Sequence, residues 1–129
     1  MIFKITLIAA AGALGAVLRY GVSGMTQRIT GEGFPLGTLV VNALGCFAAG
    51  FLTGALMSST QQMREEVRVA LLVGLLGGFT TYSTFAKETL ALANDSEWAK
   101  AGMYVLLTNA LCLIGVWIGY RLAQRIYGV

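Results

Sequence analysis

Apolar residues run along this chain in four long stretches, with charged and turn-forming residues gathered between them. In the first, Ile5 to Leu18 and Tyr20 to Gln27 carry no charge, and Arg19 alone interrupts them. A helix that spans a bilayer needs about 20 mainly apolar residues. A first helix is therefore expected from about Ile2, through Arg19, to about Met25. Thr30-Gly31-Glu32-Gly33-Phe34-Pro35 reads as a turn, with glycine and proline as breakers. Gly33 to Met63 is then uncharged, and a second helix fits from about Leu36 to Met57. Ser58 to Arg68 reads as a polar loop ending in the charge cluster Arg64-Glu65-Glu66-Val67-Arg68. The third segment runs from about Val67 to Leu92, and after Asn94 to Lys100 the uncharged run Ala101 to Tyr120 supplies the fourth.

The third segment differs from the others. It contains Gly77-Gly78-Phe79-Thr80-Thr81-Tyr82-Ser83-Thr84-Phe85, two glycines followed by hydroxyl and aromatic residues. Its uncharged part ends at Ala86, with Lys87 and Glu88 directly after. A break at Gly77-Gly78 accommodates those charges better than one straight helix. Irregular backbone at membrane depth is tolerated only where protein buries it or where it lines a cavity. Broken helices in transporters place carbonyl oxygens and helix ends around ions. Two readings stay open from this stretch alone: an ion site, or a glycine pair used for close helix packing with hydroxyls bonded back to the helix.

Composition supports the membrane reading. The 129 residues are 57% hydrophobic and 12% charged, against about 25% charged in a soluble domain. One domain, 1–129, is expected. The net charge of +3 is modest and spread along the chain, so no nucleic-acid partner is indicated. Histidine is absent, which removes the commonest acid/base catalyst and metal ligand. No nucleophile–base pair is visible, so the chain does not read as an enzyme. Cys46 and Cys112 lie far apart in apolar runs without a CxxC spacing, and read as small packing residues. Lys4 before an apolar run could be mistaken for a signal peptide, but the run continues past Arg19 without a convincing cleavage site and the rest of the chain is equally apolar, so no cleaved signal is expected. Seventeen glycines against one proline suit tightly packed membrane helices.

Several polar residues sit inside the spans. Thr38 and Asn42 are four apart and share a helix face. Asn42 can bond a neighbouring helix or donate its NH₂ to an anion. Tyr104, Thr108 and Cys112 recur at intervals of four and line another face. Arg19 lies near a boundary, where it can snorkel to headgroups or stand at the mouth of an anion path. Four spans place both termini on one side. That side collects Lys4, Arg64, Arg68, Arg121 and Arg125, and the other Arg19, Arg28, Lys87 and Lys100. So small a bias gives little orientation signal, which leaves insertion in both directions open. Two oppositely inserted copies would form an antiparallel dimer, the equivalent of an inverted repeat.

With these residues in view, the chain resembles the Fluc (CrcB-type) fluoride ion channels of microbial membranes along its whole length. The matching motifs are Gly15-Ala16-Val17-Leu18-Arg19-Tyr20, then Pro35-Leu36-Gly37-Thr38-Leu39-Val40-Val41-Asn42, then Gly77 to Glu88, like the family's GG-x-T-T-F-S-T-F-x-x-E. The resemblance implies an all-α membrane protein of four transmembrane helices, the third broken at Gly77-Thr81, assembled as an antiparallel dual-topology homodimer in the bacterial inner (plasma) membrane. It implies passive export of fluoride from the cytoplasm, and hence fluoride resistance, through two pores. It also implies a structural sodium at the dimer centre, held by the main-chain carbonyls of Gly77 and Thr80, and no organic cofactor. The pore residues it implies are Asn42, Tyr82, Phe85, Thr38, Ser83, Tyr104 and Thr108, with Arg19 at the vestibule. Cys112 falls where some members have serine. Tyr82 departs from the family's usual phenylalanine; it keeps the ring and adds a hydroxyl. No P-loop is present, so no ATP-driven step is expected. The rival reading is a small proton-coupled multidrug antiporter, also a four-helix dual-topology dimer. Proton-coupled export needs a membrane carboxylate, usually in the first helix, and the first segment has neither Asp nor Glu.

Overall fold

The computed structural model describes residues 1–57 and 63–128. Six α-helices and one π-helical stretch make up four rods long and apolar enough to cross a membrane. α1 is Ile2–Thr30 and α2 is Leu36–Met57. The third rod, Glu65–Asn94, comprises α3 (Glu65–Val69), a π-helical stretch (Ala70–Leu76), α4 (Gly77–Phe79) and α5 (Tyr82–Asn94). α6 is Trp98–Tyr127. The four expected spans are thus present. α1 runs a turn beyond the expected Met25, and Gly31, at φ 83°, stops it where the sequence placed the turn. The expected polar loop Ser58 to Arg68 falls partly outside the described residues, and its end is already helical from Glu65.

The packing follows a membrane logic. Large apolar side chains such as Ile2, Leu106, Leu113 and Trp117 point outward, while the interior is small. Leu39, Phe85 and Tyr104 form its centre, with Phe34 and Leu92 against them. Glycine lets the backbones touch. A Cβ at Gly50 would stand 1.9 Å from the Val116 carbonyl oxygen, and one at Gly119 would stand 2.1 Å from that of Phe47. α2 and α6, the most extensively packed pair, therefore meet backbone to backbone. Toward one end Gly115 approaches the Ala43 carbonyl, and toward the other Gly54 approaches that of Tyr120, so residue numbers rise together along the contact and the two helices run parallel.

α1 meets the first half of the third rod in the same way. A Cβ at Gly15 would lie 2.2 Å from the Leu75 carbonyl oxygen, and one at Gly78 would lie 2.4 Å from that of Gly12. This corrects the expected position of the break. The helix continues through both glycines, because Gly78 is used to press against α1 rather than to loosen the chain. Gly77 has nothing within 4 Å of its Cβ position. The break comes two residues later, at Thr80 (φ −81°, ψ 156°) and Thr81 (φ −153°, ψ 115°), both extended. It falls inside the Gly77-Thr81 window.

A candidate ion site at the helix break

Two extended residues in the middle of a span leave helical hydrogen bonds unmade, and each must be replaced. Asn42 on α2 replaces two of them. Its Nδ2 donates to the Thr81 carbonyl at 2.9 Å, and the Thr81 N–H donates to its Oδ1 at 2.8 Å. The side-chain amide thus pairs with the main chain as a neighbouring strand would. Room for this comes from Gly45, one turn along α2, where a Cβ would meet the Thr80 methyl at 2.2 Å. Thr81 then caps α5: its Oγ1 accepts from the Thr84 N–H at 3.2 Å and donates to Thr84 Oγ1 at 3.0 Å.

The break takes helical donors away from a run of carbonyls. In a continuous helix the Thr81 N–H would return to the Gly77 oxygen, and the Thr84 N–H to the Thr80 oxygen. Asn42 takes the first donor and the Thr81 hydroxyl takes the second. Gly77 and Thr80 are thus among the carbonyls left without helical donors, together with Gly78 and Phe79, and Gly77 is exposed. Carbonyl oxygens suit a hard cation, so these two positions fit the chemistry of a sodium ligand.

Two recesses flank the break, and Thr81 lines both. One, of about 230 Å³, is bounded by Asn42, Thr80, Phe85, Thr108 and Cys112 among others. Thr108 is 6% exposed, and its hydroxyl is buried without a partner among the described residues. Asn42 retains its second N–H for a further acceptor, since the amide nitrogen carries two donors. The other recess, of about 320 Å³, is bounded by Arg19, Ser23, Thr38 and Thr84 among others. Arg19 enters no ion pair among the described residues.

The aromatic residues separate into two environments. Phe85 is 4% exposed and meets Tyr104 edge-on, with ring centroids 5.0 Å apart. Tyr82 is 77% exposed, with its ring 5.3 Å from that of Phe85. Ser83 is exposed beside it, its Oγ 3.3 Å from Thr81 Oγ1.

Glu88 is the residue the sequence reading left without a role. Thr38 Oγ1 donates to its Oε1 at 2.8 Å, and the Tyr104 hydroxyl donates to its Oε2 at 2.7 Å. One carboxylate thus ties α2 and α6 to α5. The signal was present: Glu88 stands three residues after Phe85, on the same face of α5. Asn109, beside Thr108, also borders the smaller recess and went unremarked.

Residues 6–120 match the family model described as "CrcB-like protein, Camphor Resistance (CrcB)". A protein of Geobacter sulfurreducens named "Fluoride-specific ion channel FluC" is 43% identical over 122 residues, covering 95% of this chain and 98% of its own length. Proteins with the same name from Nitrosococcus oceani, 42% identical over 95% of this chain and 98% of its own, and from Desulforapulum autotrophicum, 44% identical with the same two coverages, match equally broadly. With four apolar rods, a break in the third held open by Asn42, and a family match along nearly its whole length, the chain belongs to the CrcB-like family.

Proposed function

We propose that the chain is a fluoride-specific channel of the bacterial inner membrane, working as an antiparallel homodimer. It exports the anion passively from the cytoplasm and so confers fluoride resistance. The observation that carries this reading is the Asn42–Thr81 pairing, which holds the third span open beside a buried ring and an unpartnered hydroxyl. The names of the relatives supply the ion.

Fluoride is small and strongly hydrated, so a selective path must replace its water with donors at a narrow point. Arg19 attracts the anion into the vestibule. Asn42 offers its remaining N–H and Thr108 its hydroxyl, while the positive edges of the Phe85 and Tyr82 rings take over where oxygen donors are lacking. Thr38, Tyr104 and Ser83 continue the polar track. The exposure of Gly77 and Tyr82 on the protomer supports a second copy on that face. Gly77 and Thr80 of each protomer would hold a structural sodium on the two-fold axis, where its charge offsets the converging carbonyl dipoles. The antiporter alternative is not favoured: both carboxylate oxygens of Glu88 accept protein hydroxyls, and the first span carries no acid.

Growth tests the export claim. A bacterial strain without its own fluoride exporter should grow in fluoride when it expresses this chain, and should fail when it expresses Phe85→Ile at equal membrane abundance. Equal growth of the two would remove Phe85 from the path. No growth from either, with the protein present in the membrane, would overturn the export reading. Tags on the C-terminus should appear on both sides of the membrane; a one-sided result would exclude the antiparallel dimer.

A further inference from the structure

We propose that Cys46 and Cys112 form a two-thiol binding site for a soft, linearly coordinated cation of the Hg(II), Ag(I) or Cu(I) class, set in the wall of the smaller recess. The helix register brings the two residues together. α2 and α6 run parallel and meet at Gly50, whose Cβ position lies 1.9 Å from the Val116 oxygen. Cys46 is four residues before Gly50 and Cys112 is four before Val116, so both stand one turn back from that contact, on the same faces. Both cysteines accordingly border the one recess that also holds Asn42, Phe85 and Thr108. Neither is in a disulfide.

The donor set selects the ligand. Among the described residues no third His, Cys, Asp or Glu joins the pair, so a four-coordinate zinc site is not built. Two facing sulfurs satisfy an ion that prefers soft ligands and linear geometry. With Hg(II), each thiol gives up one proton, two S–Hg bonds form, two protons are released, and no electron is transferred. The bridged ion would stand in the recess wall and narrow it. That this obstructs an anion path rests on the channel reading above; the binding itself does not.

The experiment uses the purified full-length chain in detergent and in liposomes, with mercuric chloride as the probe. Intact mass and maleimide labelling should show one mercury per chain and no reactive thiol remaining. C46S and C112S should each bind mercury in a form that a monothiol strips readily, whereas the wild-type bridge resists it. Two mercury atoms per chain, or one thiol still open to maleimide at saturation, would overturn the site. In liposomes, mercury should cut fluoride efflux of the wild type at least tenfold relative to its own untreated rate, and leave the C46S/C112S rate at its own untreated value. A bridge that forms without slowing efflux would place the site off the path. Chains that conduct no fluoride would leave the mass and labelling result to decide the site alone.

Discussion

Replacing Asn42 by alanine perturbs the break most directly. The substitution removes both amide hydrogen bonds, at 2.8 and 2.9 Å, and leaves the Thr81 N–H and carbonyl without partners. Thr81 is buried, so no water replaces them freely. An unsatisfied buried group costs about 1–3 kcal/mol, which places the pair at about 2 kcal/mol or more. Polar contacts between bilayer helices average only about 0.6 kcal/mol, because side chains find other partners in the unfolded state. That discount is smaller here, since the groups exposed are main chain at a fixed break. The assay is reversible unfolding in mixed micelles at constant protein concentration, followed by the fluorescence of Trp98 and Trp117. Thr53→Ala is the control: among the described residues the Thr53 hydroxyl bonds only back to Ala49 in its own helix, and its loss should stay within about 0.5 kcal/mol. An Asn42→Ala protein as stable as the Thr53→Ala control would refute the argument that Asn42 holds the break open.

Other substitutions test separate contacts. Gly50→Ala forces a methyl against the Val116 carbonyl and should cost about 1–3 kcal/mol; Gly21→Ala, with nothing within 4 Å, should be neutral or add about 0.5–1 kcal/mol. A double-mutant cycle of Thr38→Val and Tyr104→Phe should show coupling of about 0.5 kcal/mol or more, because both hydroxyls converge on Glu88; in a Glu88→Ala background that coupling should vanish, and strict additivity from the start would break the link. Replacing sodium by a bulky organic cation during purification should lower dimer stability if Gly77 and Thr80 hold the ion, and an unchanged dimer would remove that role.

The four spans were legible because charge is expelled from a bilayer interior, so Arg64, Lys100 and Arg121 punctuate the apolar runs. The break was legible as a window, since hydroxyl-rich sequence inside a span needs a reason. Its position was not. Gly78 serves the contact with Gly12, and Thr81 is extended because Asn42, 39 residues earlier, claims its backbone. Local sequence carries no trace of which distant amide will do so. The same limit explains Glu88, whose two donors come from residues 50 and 16 positions away. The face shared by Thr38 and Asn42 was readable from spacing, but the structure gives the two residues different partners: a carboxylate for one and the main chain for the other. The π-helical stretch Ala70–Leu76 left no sequence signal that distinguished it from ordinary helix.

The decisive measurement is fluoride efflux from liposomes containing the purified chain, read with a fluoride electrode beside a chloride control. A passive fluoride-selective channel gives rapid fluoride release without a proton gradient, no chloride release, and loss of the fluoride signal in Phe85→Ile. Liposomes that retain fluoride, or that release chloride at a similar rate, would contradict it.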